Sequence, residues 1–234
     1  KYMKNILITG GNSRFAKILK KEFNSKNIFY TNSKQLNILN YKSIEKKIRQ
    51  IKPKIFIHIA GLSRPMKLHD TDISKSIDLN IIGTSNVVKL CIKYKIKLIY
   101  FSTNYVYPGK KGNYKETDVL LPFNNYAWSK LGGECAVQMY KNSLILRLCV
   151  TEKPFIHKYA FKDSKTSFMF VQDFVKNFKK IIHQKGILNI GGEKASIYQF
   201  AKKSGANVIP VSSKNNKSFP KDSSMNINKF KKLI

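Results

Sequence analysis

ITGGNSRFA, residues 8–16, closes an apolar run at Asn5–Thr9 and opens a helix-period segment at Phe15–Phe23. A strand, a glycine turn and a helix start therefore follow one another without a gap. Gly10 permits the tight turn, and the free backbone N–H groups of a helix start can hold an anionic phosphate. Dinucleotide-binding loops want small residues three and six positions beyond the first glycine, and those positions are Ser13 and Ala16. Ser13 can approach a phosphate and donate its hydroxyl. Ala16 lets helix and strand pack closely, Arg14 adds charge, and Phe15 completes the candidate loop. An ordinary strand–turn–helix would carry the same letters, so the rest of the chain has to decide between the two.

Outward from this loop, apolar runs alternate with helical periodicity. Strands are predicted at Ile28–Tyr30, Ile55–Ile59, Lys97–Phe101 and Leu144–Val150. Helices are predicted at Tyr41–Ile51, stopped by Pro53, at Ile73–Tyr94 as one long helix, and at Tyr126–Tyr140. A loop rich in Gly, Pro and Asn spans Ser102–Asn125. This alternation predicts an α/β fold, a doubly wound parallel sheet of Rossmann type with right-handed crossovers. Beyond residue 150 the pattern thins to a helix at Asp173–His183, a strand at Ile187–Ile190, a helix at Ile197–Lys203 and a last strand at Val208–Val211. A polar tail, Ser212–Pro220, comes after it. The expected organisation is a dinucleotide-binding domain at 1–150 and a small substrate-binding cap at 151–234, interleaved with it.

The chain has 234 residues, 42% of them hydrophobic, enough for a substantial core. No apolar run approaches the roughly 18 residues of a membrane span, and no signal-peptide pattern opens the sequence. Met3, after Lys1 and Tyr2, is a candidate start. The cysteines Cys91, Cys135 and Cys149 are odd in number and without a Cys-x-x-Cys pair, which fits a cytoplasmic protein without a disulfide framework or a metal site. Cys135 and Cys149 read as buried fillers. The net charge is +31. The lysines are spread along the chain, so no specific nucleic-acid surface is read from them. The charge still favours anionic ligands.

No carboxylate follows the second strand, where the residues are Tyr30-Thr31-Asn32-Ser33-Lys34. An NAD site usually offers Asp or Glu there. Ser33 and Lys34 suit a 2′-phosphate, so the cofactor reading is NADP, with NAD as the alternative.

Tyr126 and Lys130 lie four residues apart in YAWSK, on one face of the predicted helix. An ammonium near a phenol favours the phenolate and lowers its pKa. Such a tyrosine can deliver a proton to a carbonyl oxygen as hydride reaches the carbon. Ser102 and Thr103 end the fourth strand, and a hydroxyl there can hydrogen-bond the same oxygen. His58 reads as a packed, hydrogen-bonded histidine. His69 and Asp70 lie near the expected substrate edge, Trp128 reads as packing, and Asp173 as a residue that fixes the cap to the sheet.

With these residues in view, the chain resembles the extended short-chain dehydrogenase/reductases, closest to the dTDP-4-dehydrorhamnose reductase group of nucleotide-sugar reductases. The matching segments are ILITGG, FSTNYVYPG, GNYKETD, PFNNYAWSKLGGE, LILRL, FVQDFV, LNIGGEKASIYQFA and PKDSSMNINKF, from residue 6 to about 231. The resemblance implies that Tyr126 is the proton donor, Lys130 its modulator and Thr103 the hydroxyl that holds the substrate carbonyl. It places Gly10, Ser13 and Ala16 on the family's three glycine positions, Asn37-Ile38 against adenine, and Ala60-Gly61 along the nicotinamide ribose. It makes Asn80 the brace of the active site and sets Arg147, Asn189 and Asn104 along the sugar-nucleotide pocket. Ser102, Tyr126 and Lys130 also border the cofactor.

Three departures stand out. Asn104 replaces a common aspartate, Phe219 replaces an arginine usual before the tail proline, and the region after residue 150 is short. Nucleotide-sugar dehydratases of this fold carry an Asp-Glu pair after the catalytic threonine. Here the residues are Asn104 and Tyr105, which disfavours water elimination. The resemblance therefore implies reduction of the 4-keto group of a nucleotide-diphosphate 6-deoxysugar. A C4 epimerase with tightly bound NAD, or a non-catalytic cofactor-binding regulatory subunit, are the alternatives. The expected partners are the sugar nucleotide and a second copy of the chain, with no membrane and no specific nucleic acid.

Overall fold

The computed structural model describes residues 4–214 and 219–234. Met3 and part of the polar tail lie outside the described residues. The first half runs β1 (Ile6–Thr9), α1 (Arg14–Glu22), β2 (Ile28–Thr31), α2 (Tyr41–Ile51), β3 (Ile55–His58), α3 (Leu68–Thr71), α4 (Ile73–Ile77), a π-helical turn (Asp78–Ile82), α5 (Gly83–Lys93) and β4 (Lys97–Thr103). A 3-10 turn (Asn104–Val106), α6 (Asn125–Gln138) and β5 (Ser143–Leu148) come next. The remainder contains β6 (Val150–Thr151), β7 (Tyr159–Phe161), β8 (Lys165–Thr166), β9 (Met169–Phe170), α7 (Val171–Ile181), β10 (Gly186–Ile190), β11 (Ala195–Ser196), α8 (Ile197–Lys203), β12 (Ile209–Val211) and α9 (Asn228–Lys231).

Six parallel strands form the central sheet in the order β10-β5-β4-β3-β1-β2. β1 and β3 are buried along their whole length, as a sheet covered on both faces requires. Alternate residues of β1 serve opposite layers. Ile6 and Ile8 pack with Leu19 of α1, with Phe23 just beyond its end, and with Phe174 and Phe178 of α7. Leu7 packs with Ile44 and Ile48 of α2, Val87 and Leu90 of α5 and Val137 of α6. The chain turns one way from β1 to β2 and the other way to β3, so a crevice opens at the carboxyl ends of β1 and β3.

Local sequence explains the element ends. Asn40 caps α2 by accepting from Ser43 N–H at 3.0 Å, and Lys52 ends it in a left-handed conformation just before Pro53. Asp72 caps α4 through Lys75 N–H at 3.0 Å. The segment expected as one helix over Ile73–Tyr94 is broken by the π turn. Such turns change which side chains face inward, and this one directs Asn80 into the interior.

Residues 151–234 divide between two roles. Helix α7 and strand β10 complete the main sheet and its α1 layer. Helix α9 packs there too through Phe230, and the rest build a small lobe from three two-stranded pairings, β12-β7, β11-β8 and β6-β9, with α8. Phe155, Ala160, Ala201 and Val208 form the core of this lobe. The strand expected at Val208–Val211 exists, yet it pairs with β7 outside the main sheet. The C-terminal tail lies against the loop after β4, with Asp222 N–H on Gly109 O at 2.8 Å, Tyr114 N–H on Ser224 O at 3.0 Å and Asn226 N–H on Tyr114 O at 2.8 Å. Among the described residues, no helix is long and apolar enough to cross a membrane. No group of three His, Cys, Asp or Glu among them could hold a metal ion.

Candidate active site

Gly10 takes φ +73°, and a Cβ there would fall 2.8 Å from Ala60 N. Only glycine fits between β1 and the loop after β3. Ser13 caps α1 through Ala16 N–H at 3.1 Å. That leaves the N–H groups of Arg14 and Phe15 without intrahelical acceptors, facing the crevice end of α1. Such a helix start fits a diphosphate. Arg14 is exposed and reaches Glu152 at 3.8 Å. The Phe15 ring packs edge-on against Phe101 at 5.0 Å, so its side chain belongs to the core, and only its backbone faces the loop.

Ser33 and Lys34 are exposed beyond the end of β2, beside a turn in which Asn32 accepts from Lys34 N–H at 3.0 Å. Asn37 is exposed, and its side chain accepts from Leu39 N–H at 3.0 Å. Ile38 is 5% exposed and packs in the α2/α5 layer. Of the Asn37-Ile38 segment expected against adenine, Asn37 is thus the exposed member and Ile38 anchors the segment to the core. Ala60 N–H is held by Thr9 Oγ1 at 3.2 Å. A Cβ on Gly61 would lie 2.6 Å from Asn80 Oδ1. Asn80 ties this loop to α6, donating to Leu62 O at 2.9 Å and to Ser129 Oγ at 2.8 Å and accepting from Leu62 N–H at 2.7 Å. It braces the loop and is itself 1% exposed.

The structure brings Thr103, Tyr126 and Lys130 to the carboxyl end of β4. The Tyr126 phenol is pushed up by burial, while the Thr103 hydroxyl bonded to it and the Arg64 charge pull the other way. His69 packs edge-on against the Tyr126 ring at 5.1 Å, and its Nδ1 pairs with Ser76 Oγ at 2.6 Å. Lys130 is 8% exposed. Burial pushes its amine down to about 7, against the opposing Glu134 carboxylate. The Lys130 ammonium lies over the Tyr100 ring, 4.3 Å from its centre.

Four other residues expected along the site are buried. Ser102 donates to Glu134 Oε2 at 2.5 Å. It faces the α6 layer, and its hydroxyl is spent on Glu134 one turn beyond Lys130. Asn104 is 3% exposed and donates to Ser223 Oγ at 3.2 Å. Arg147 is 1% exposed and is consumed by Glu134, Tyr107 and the Glu116 carbonyl. Asn189 is 0% exposed and is bound by Tyr107, Tyr114 and Asn226. These side chains join β4, β5 and β10 to α6 and to the tail.

His58 is packed as expected, between Thr9 Oγ1 at 2.9 Å and Thr84 Oγ1 at 3.1 Å. Cys149 is buried but Cys135 is exposed, and Trp128 is also exposed. Both lie on the outward face of α6, seven residues apart. Asp173 is exposed at the start of α7 near Lys176 and fixes nothing to the sheet. Sequence reasoning missed Arg64, Tyr100 and Glu134. Glu134 was findable, since it continues the four-residue series of Tyr126 and Lys130. Arg64 sits in an irregular loop with no periodic signal.

The chain has relatives among known proteins. The RmlD substrate binding domain family matches residues 3–151. The chain is 31% identical to methionine adenosyltransferase 2 subunit beta of Xenopus laevis over 154 residues, 62% of this chain and 46% of that protein. The match thus spans less than half the length of that relative. It is 25% identical to dTDP-4-dehydrorhamnose reductase of Aggregatibacter actinomycetemcomitans over 192 residues, 80% of this chain and 60% of that one. Among solved structures, dTDP-4-dehydrorhamnose reductase from Bacillus anthracis in complex with NADP superposes with a TM-score of 0.87 at 26% identity, covering 97% of this chain and 92% of the other.

Proposed function

The chain belongs to the RmlD substrate binding domain family, and from that premise we propose that it reduces the 4-keto group of a nucleotide-diphosphate 6-deoxysugar. The cofactor in this reading is NADPH, which supplies the hydride when bound. The NADP complex of the Bacillus anthracis relative supports that choice, as does the exposed Ser33-Lys34 pair, with no carboxylate at the end of β2. One observation carries the reading: the Thr103 hydroxyl and the Tyr126 phenol share a hydrogen bond beside the crevice mouth, with Lys130 one turn along α6.

The roles follow from the groups' chemistry. Burial keeps Tyr126 protonated at neutral pH, as a proton donor must be. Its hydroxyl would give that proton to the carbonyl oxygen, and Thr103 would hold the same oxygen in line. Lys130, whose amine is held at about 7, would stand close to both protonation states at working pH and restore the proton to Tyr126. The loop braced by Asn80 would carry the nicotinamide edge, and the start of α1 would hold the diphosphate.

The test is separate titration with NADPH and NADH, followed by cofactor oxidation with a panel of 4-keto-6-deoxysugar nucleotides. We expect turnover that falls by roughly 10²–10⁴-fold in Tyr126→Phe while cofactor binding persists. A protein that oxidises neither cofactor with any of these sugars is not this reductase. A second reading is favoured by the likeness to methionine adenosyltransferase 2 subunit beta: a regulatory subunit that binds the dinucleotide without turnover. The same assay separates the two, because that subunit would bind cofactor and consume none.

A further inference from the structure

The ammonium of Lys130 lies 4.3 Å from the centre of the Tyr100 ring. The hydroxyl of the same tyrosine donates to the Lys130 main-chain carbonyl at 3.1 Å. One fully buried side chain on β4 therefore grips the lysine at its head and at its backbone. The Tyr100 hydroxyl also lies beside Thr84. Thr84 Oγ1 lies 3.1 Å from His58 Nε2, and His58 Nδ1 lies 2.9 Å from Thr9 Oγ1. Gly133 makes the space for this junction, since a Cβ there would fall 2.8 Å from the Tyr100 hydroxyl and 3.1 Å from Thr84 Oγ1.

The Lys130 end of this hydrogen-bond chain fixes its direction. A carbonyl only accepts, so Tyr100 spends its proton on Lys130 and toward Thr84 can act only as an acceptor. Thr84 in turn accepts from His58 Nε2–H, which leaves Nδ1 bare to accept from the Thr9 hydroxyl. That arrangement requires a neutral imidazole. Burial, reinforced by the Lys130 charge, holds His58 at about 3, so the imidazole stays neutral through the whole physiological range. Thr9 also receives Ala60 N–H at 3.2 Å, which places the start of the hydrogen-bond chain beside the phosphate loop.

We propose that Tyr100 is a positioning residue for Lys130: its ring face is the seat of the ammonium, and the Thr84–His58–Thr9 chain locks that ring in register with the end of β1. The inference rests on the reading of Lys130 as an active-site group. Its physical basis is the negative face of an aromatic ring, which attracts a cation most strongly where water is excluded. Burial drives Lys130 toward the neutral amine, and the ring opposes it. The other ionisable groups coupled to Lys130 are Glu134 on its own helix and His58 on β3.

The test reads Lys130 itself. Residue-resolved amine acylation across pH, followed by mass spectrometry, gives its titration point in the protein without substrate. Replacing Tyr100 by Phe and then by progressively fluorinated phenylalanines keeps the shape of the ring while draining its negative face. We expect Tyr100→Phe, which keeps the ring but cuts its hydroxyl tie, to lower the Lys130 titration point by less than the fluorinated series does. The fluorinated series should lower that point stepwise by about one unit in all, a tenfold loss of protonated lysine at a given pH. Tyr100→Leu should match the end of the series. A flat series in folded protein overturns the role of Tyr100 and leaves the reductase reading standing. Failure to oxidise NADPH with any keto-sugar would remove the reductase reading and leave the titration result intact.

Discussion

Arg147 and Glu134 form a buried ion pair, with Nη2 2.6 Å from Oε1 and side chains 2% and 0% exposed. Arg147 Nε adds a second bond at 3.1 Å, and Ser102 and Gln138 satisfy the rest of the carboxylate. The pair fastens α6, which carries Tyr126 and Lys130, to β5. Removing one partner leaves the other charged and unpaired in the interior. Arg147→Leu should therefore cost about 3–5 kcal/mol, while Arg147→Leu with Glu134→Leu should recover much of that loss. Urea unfolding midpoints of the two variants decide it, and equal losses would show that the pair is not what holds the helix.

Lys130 gives stability a pH dependence of defined sign. Its folded value of about 7 lies below the ordinary lysine value of 10.5. Between those values the unfolded chain binds a proton that the folded chain does not. Stability from this group therefore rises with pH through that window and is lowest below it. Lys130→Met should remove this rise and make the protein more stable at neutral pH, at the cost of the proposed chemistry. Thermal melts across the window compare wild type and variant directly.

The fold was legible because β1, β3 and β4 are continuous apolar runs bounded by turn residues, and α2 has both a cap and a stop. The small lobe was not. Its strands are two or three residues long, too short for a period-two pattern, and the tail's pairing with Gly109 and Tyr114 joins segments about 110 residues apart. At the site, Thr103, Tyr126 and Lys130 were readable from spacing on one strand end and one helix face. The partners of Arg147 and Asn189 were not readable, because a buried polar residue and a ligand-binding one look alike in sequence. Only the partners distinguish them, and Glu134 and Tyr107 lie at 13 and 82 residues' separation.

Ser13 has two separable roles. Its hydroxyl caps α1 through Ala16 N–H, and its small size admits a phosphate. Ser13→Ala should lower stability by about 1 kcal/mol through loss of the cap. Ser13→Gly should cost only a few tenths and keep dinucleotide affinity. If instead the hydroxyl itself holds the cofactor, both variants lose affinity alike. Fluorescence titration with NADPH alongside denaturant melts resolves the two contributions.

The tail's attachment can be tested at one glycine. Gly112 takes φ +71°, and a Cβ there would fall 2.2 Å from the Asp222 carboxyl carbon. Asp222 in turn accepts from Ser224 N–H at 3.0 Å and from the Ser224 hydroxyl at 2.6 Å. Gly186 offers the control, since it takes φ +83° and a Cβ there would meet nothing within 4 Å. Gly186→Ala carries only the left-handed penalty of roughly 1–2 kcal/mol. Gly112→Ala carries that penalty together with an overpacking cost of about 1–3 kcal/mol, because the tail must move off the loop. We therefore expect Gly112→Ala to melt lower than Gly186→Ala and to expose amides near Ser224 to faster hydrogen exchange. Equal melting of the two variants would show that the tail yields without cost.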